Sequence, residues 1–203
     1  ELDEAVAAIE SAKAQFAGPH EMPRFRIEHG GTITPNYIDR LMATGVWVVT
    51  NPGFIYFRGP KYTEEPGLLA HLYRARSLKN ANVHLVGATD APVTPAKPFA
   101  AMADAVTRTS IDGVELAPAE ALTMPDAFAL FTSEAARLAR LDAGAIETGR
   151  LADLIVLPRD PLALTPADLM NLTVDITIVG GRVIYERGRP ATASSDSADL
   201  RST

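Results

Sequence analysis

The sequence contains no cysteine, which excludes disulfides and thiolate metal sites and leaves histidine and carboxylates as the available metal ligands. Such usage suits a cytoplasmic protein. No run of about 18 apolar residues is present to span a bilayer, and no basic segment followed by an apolar stretch opens the chain. The expectation is a chain with no membrane partner. Lysine and arginine are nowhere clustered and the net charge is −6 at neutral pH, which argues against nucleic acid as a partner. There is no GxSxG nucleophile elbow, and Gly30–Gly31 and Gly180–Gly181 stand outside any GxGxxG or P-loop pattern, so neither pair is assigned a phosphate role.

What is present is the composition of a folded globular protein: 203 residues, 47% apolar and 22% charged. The opening ELDEAVAAIESAKAQF has no initiator methionine and places Leu2, Val6, Ile9 and Phe16 at near-helical spacing. The chain is therefore expected to begin inside a domain. After a turn cluster at GPHEMP, RFRIEH reads as a strand. Thr34 and Pro35 can open a helix that Gly45 ends, and VWVVT is a continuous apolar run of the kind found in a parallel strand covered on both faces. Residues 51–62 read as a loop, residues 67–81 as a helix, and NVHLVGATD as a third strand. This alternation predicts an α/β fold with a parallel sheet, either doubly wound or barrel-shaped, in which chemistry collects at the carboxyl ends of the strands.

From Pro98 the pattern is helical, with a break near Thr123 to Pro125. It then gives way to short β-rich runs at Asp153 to Leu157 and Asp175 to Val179, followed by a Gly180–Gly181 turn into Val183 to Tyr185. The reading divides the chain into residues 1–143, residues 144–189 as a β module, and a small, polar tail at 190–203 expected to be disordered.

Two side chains stand at strand ends. In RFRIEHG, Phe25, Ile27 and His29 share one face of a strand while Arg26 and Glu28 share the other, so His29 crowns an apolar column. It is either a functional histidine or one satisfied by a backbone carbonyl. Glu28 reads as an ion-pair partner. In NVHLVGATDAPV, Asp90 stands at the mouth of the third strand before Pro92, as a functional carboxylate or as a turn cap. His84 lies about 20 Å below it along an extended strand and cannot share its site. Phe54, Tyr56 and Phe57 would make an aromatic wall beside Asn51 and Pro52, or pack against the next helix. His20, in the preceding loop, and His71, on a helix, read as surface residues. Arg74 and Arg76 read as substrate clamps or, more economically, as solvated helix charges. Trp47, Val49, Val83 and Leu85 read as core.

The stretches RFRIEHG, VWVVTNPGF, RARSLKNANVHLVGATDAPVTPAKPF, AGAIETGRLADLIVLPRDPL and VDITIVGGRVIYERG, in this order, resemble the amidohydrolase superfamily, in its amidohydrolase family 3 or YtcJ-like branch. The resemblance covers most of residues 1–189. It implies the C-terminal part of a metal-dependent hydrolase: about the last three βα units of a (β/α)8 TIM barrel, then the returning strands of a small β-sandwich. The family's H-x-H pair on the first strand and the histidine near the end of the fifth do not occur here. Carried over by position, His29 resembles the sixth-strand histidine, a metal ligand or a contact to the water. Asp90 resembles the eighth-strand aspartate, which binds metal and takes the water's proton.

The resemblance implies one or two divalent ions of zinc type. It also implies a small-molecule amide substrate, with hydrolysis of a non-peptide amide or N-formyl C–N bond through metal-activated water. As a fragment the chain would be inactive alone and prone to homo-oligomerisation through open sheet edges. Asp153 is expected to hydrogen-bond a turn. The competing reading is a non-catalytic scaffold or ligand-binding module without metal.

Overall fold

Three short strands set the frame, and each is short because the residues that follow it leave the extended region. The computed structural model describes residues 1–16 and 24–189. His20 and the polar tail lie outside the described residues. Helix α1 (Leu2–Gln15) precedes strand β1 (Arg26–His29), helix α2 (Pro35–Thr44), strand β2 (Trp47–Thr50) and helix α3 (Gly53–Thr63). A single turn α4 (Pro66–Leu69) and helix α5 (Ala75–Asn80) lead to strand β3 (His84–Gly87).

The three strands pair in parallel in the order β1-β2-β3. Their register sets His29 level with Thr50 and Thr50 level with Gly87. Every residue of the central strand β2 is buried, as expected for a parallel strand covered on both faces. Trp47, Val49, Val83 and Leu85 belong to the core. Pro35 opens α2 and Gly45, at φ 61°, closes it, although the Thr34 side chain makes no capping hydrogen bond.

Helix α6 (Pro98–Thr107) and helices α7 (Met124–Phe131) and α8 (Ser133–Ala139) then cover the sheet. Thr123 caps α7 by accepting the Asp126 amide at 3.3 Å, which is the break seen in the sequence. A second sheet of strands β4 (Leu154–Val156), β5 (Ile176–Val179) and β6 (Arg182–Glu186) is antiparallel in the order β4-β5-β6. The turn at Gly180 is tied down by Asp153, whose carboxylate accepts the Gly180 amide at 2.8 Å, the structural role expected of it. Between β4 and β5, helix α9 (Pro166–Met170) packs on α6 and sends Leu169, followed by Leu172, into the main core. No helix among the described residues is long and apolar enough to cross a membrane.

Two segments differ from the sequence reading. Residues 53–63 are helical rather than a loop, despite Gly59 and Pro60. Pro60 cannot donate to the Tyr56 carbonyl four residues back, and that carbonyl instead accepts the Ile111 amide at 3.0 Å. Gly59 is where the helix meets Ser110 so closely that a Cβ would overlap the serine side chain. The helix read across 67–81 is interrupted at residues 70–74, because that stretch bonds to another segment. The Ile33 amide donates to the His71 carbonyl at 3.1 Å and the Tyr73 amide to the Gly31 carbonyl at 2.8 Å.

Candidate functional site at the carboxyl ends of the strands

His29 is the last residue of β1 and its backbone turns into the left-handed region, with φ 66°. Asp90 follows β3 by three residues and does the same, with φ 56°. Left-handed backbone is unfavourable for residues with a Cβ and gathers at ligand-binding sites when the surroundings enforce it. Tyr73, also left-handed at φ 42°, is the third such residue at this end of the sheet.

With β2 between them, β1 and β3 run about 10 Å apart, so side chains leaning over β2 from either side approach one another. On the β1 side the neighbour is Phe54, at the start of α3. The His29 ring stacks on Phe54 with centroids 5.7 Å apart, and Phe54 meets Tyr73 edge-on at 6.4 Å. Both Asp90 and Arg58 act electrostatically on the Tyr73 hydroxyl, which burial pushes well above the ordinary tyrosine range. The Arg58 guanidinium lies over the Phe54 ring at 5.4 Å, and the Tyr62 and Tyr73 hydroxyls are 3.4 Å apart.

Asn51 directly follows β2. It is buried and its side-chain amide oxygen has no hydrogen-bond partner. A buried acceptor left unsatisfied costs about 1–3 kcal/mol. The turn carrying Asp90 is held by its carbonyl, which accepts the Val93 amide at 2.8 Å, and by the Thr94 hydroxyl donating to the Thr89 carbonyl.

Arg108 fixes Tyr73 from behind. It is 1% exposed, and its guanidinium donates to the carbonyls of Leu116 at 2.7 Å, Tyr73 at 3.0 Å and Leu72 at 2.9 Å. Burial lowers its pKa to about 10, with Glu120 opposing, so it stays charged at neutral pH.

Other candidates fall elsewhere. His84 stacks on Trp47 with centroids 4.5 Å apart, at the opposite ends of the strands from Asp90. Burial, with the positive charge of Arg137, lowers its pKa. His71 lies in the interrupted segment with a buried, unpartnered Nδ1. Arg74 pairs with Glu120 at 3.2 Å, and Arg76 donates to the Ala121 carbonyl, so both arginines brace the 3-10 turn Pro118–Glu120 and its end. Glu28 pairs with Arg26 at 2.6 Å. Tyr56 and Phe57 meet edge-on and line a separate pocket. Sequence reasoning missed Arg58, Tyr62 and Tyr73, because their meeting depends on the interrupted segment.

A metal centre needs more than this chain's described residues provide. Imidazole and carboxylate suit a zinc-like ion, but a catalytic zinc takes three protein ligands. Among the described residues no group of three or more His, Asp or Glu side chains converges to hold one.

In a parallel α/β sheet functional side chains gather at the carboxyl ends of the strands, which is where His29 and Asp90 stand. The chain belongs to the amidohydrolase family, whose model matches residues 1–185. It is 32% identical over 167 residues to an N-substituted formamide deformylase of Arthrobacter pascens, covering 80% of this chain and 31% of that protein. It is 26% identical over 169 residues to YtcJ of Bacillus subtilis (strain 168), described as an amidohydrolase, covering 80% of this chain and 32% of YtcJ. A crystal structure of an uncharacterised metal-dependent hydrolase from Pyrococcus horikoshii OT3 superposes with a TM-score of 0.70 at 29% identity, covering 82% of this chain and 33% of that one. The chain thus spans about a third of the length of each of these three proteins.

Proposed function

We propose that this chain forms part of a metal-dependent hydrolase that cleaves a non-peptide C–N bond of amide or N-formyl type in a small molecule. The observation that supports it most directly is the placement of His29 and Asp90, both on left-handed backbone, at the carboxyl ends of β1 and β3, the two strands that flank β2. In this reading residues 1–143 supply three βα units of a barrel and residues 144–189 supply sandwich strands. His29 and Asp90 provide two ligands of a zinc-type site, and the remaining ligands come from outside the described residues. A bound divalent ion would contribute Lewis acidity and a lowered pKa for water. Asp90 accepts the proton of the attacking water, and His29 either ligates the ion or steadies the oxygen on which negative charge develops. Phe54, stacked on the exposed His29 ring, gives this end of the sheet an aromatic wall.

The scaffold reading draws its support from the same incomplete ligand set. The two are separated by amine release from N-formyl and N-acetyl primary amines, measured on the complete protein carrying this chain with zinc added. The hydrolase reading expects turnover that falls by about 100-fold or more in Asp90→Asn, and none from the 203-residue chain alone. Turnover close to that of the unmodified protein in Asp90→Asn would contradict it.

A further inference from the structure

Asp104, on α6, is 2% exposed and makes no side-chain hydrogen bond or ion pair among the described residues. Buried carboxylates are ordinarily matched by a cation or by donors. Asp104 lines a pocket of 240 Å³ formed by α3, the segment after Asp90, α6 and α9. Tyr56, Phe57 and Met170 give this pocket apolar walls, and Asn171 adds an amide. Lys97, also in the lining, is exposed and forms no ion pair with Asp104. The one influence on the carboxyl is burial itself, which raises its pKa to about 7. Once ionised, from about pH 7 upward, this carboxyl has no ion-pair partner among the described residues.

We propose that this pocket is a binding site for a small organic ammonium with an apolar arm, its charged end on the Asp104 carboxylate and its arm against Tyr56 and Phe57. The chemistry selects this class. An unscreened carboxylate gains most from a cation that can also donate hydrogen bonds, and aromatic faces attract the same cation. A neutral apolar molecule would leave the carboxylate unmatched. A metal ion would have a single carboxylate ligand, since no second acidic or histidine side chain lines the pocket. The pocket shares a wall with the candidate catalytic region, because Thr94 lines it and donates its amide to the Asp90 carbonyl at 3.4 Å. The inference is nevertheless independent of any hydrolytic role for Asp90.

The test is titration of the 203-residue chain with phenethylamine, followed by amide chemical shifts, with 2-phenylethanol as the neutral counterpart. The expected result is saturable binding of phenethylamine that perturbs residues of α3, α6 and α9 and tightens between pH 6 and pH 8 as the carboxyl ionises. Binding of the alcohol should be at least tenfold weaker. Asp104→Asn, nearly the same shape, should lower the amine's affinity at least tenfold. Ala100→Leu, which adds bulk at the partly exposed rim while keeping the carboxylate, should block it. Equal binding of amine and alcohol, unchanged amine binding in Asp104→Asn, or no shift up to the solubility limit of the amine would overturn the proposal.

Discussion

A carboxyl group that burial holds near pKa 7 makes the unliganded fold pay for ionising it. At Asp104 the folded state binds the proton more tightly than the unfolded chain, whose carboxyl titrates near 3.8. Stability is therefore greatest below the unfolded pKa and falls as pH rises through the folded one. A shift of this size corresponds to about 4 kcal/mol at full ionisation. Asp104→Asn should leave stability unchanged near pH 3.5 and raise it by up to about 4 kcal/mol at pH 8, as urea unfolding at the two pH values would show. Identical profiles for the two proteins would contradict this. Nothing in PFAAMADAVT announces such a carboxyl, since an aspartate in a helix reads as solvated until the covering helix α9 is in place. His29 and Asp90 were legible because strand parity and the following Gly30 and Pro92 mark where each strand stops. Their left-handed backbone and the unpartnered Asn51 oxygen were not, because both depend on what neighbouring segments impose.

Among the elements, α3 and the interrupted segment at 70–74 show where local signals mislead. Gly59 and Pro60 are ordinary helix breakers, yet α3 runs through them. Ser110 occupies the space that a Cβ at residue 59 would need, and the carbonyl freed by Pro60 has Ile111 as donor. The segment read as helix over 67–81 has suitable residues throughout, but Arg108 draws the Leu72 and Tyr73 carbonyls away from helical partners. Arg108→Met removes three donors and leaves the carbonyls of Leu72, Tyr73 and Leu116 without them. The expected loss is about 3 kcal/mol, read from the urea midpoint. A loss below about 0.5 kcal/mol, the range of an ordinary surface substitution, would show that the arginine does not hold this segment. The strands and α2, by contrast, were legible because their periodicity, Pro35 and Gly45 agree with the tertiary structure.

For the whole molecule, the parallel sheet positions His29 and Asp90 on either side of β2, and the residues around them form a rim rather than a closed centre. The second sheet leaves apolar side chains on view, including Val183 at 53% and Ile184 at 64% exposed. This is the type of surface that other parts of a protein, or another copy, normally cover. The overall α/β architecture could be read from the order of elements, whereas the completeness of the site could not, since ligand number depends on side chains arriving from distant segments. The central claim is that His29 and Asp90 act together on one divalent ion. Its most direct measurement is a zinc titration of the 203-residue chain, followed by the ring resonances of its histidines at neutral pH. Weak, saturable shifts of the His29 ring that disappear in Asp90→Asn are expected, with His84, at the far end of the sheet, unaffected. A His29 ring that ignores zinc, or responds equally with Asp90 replaced, would contradict it.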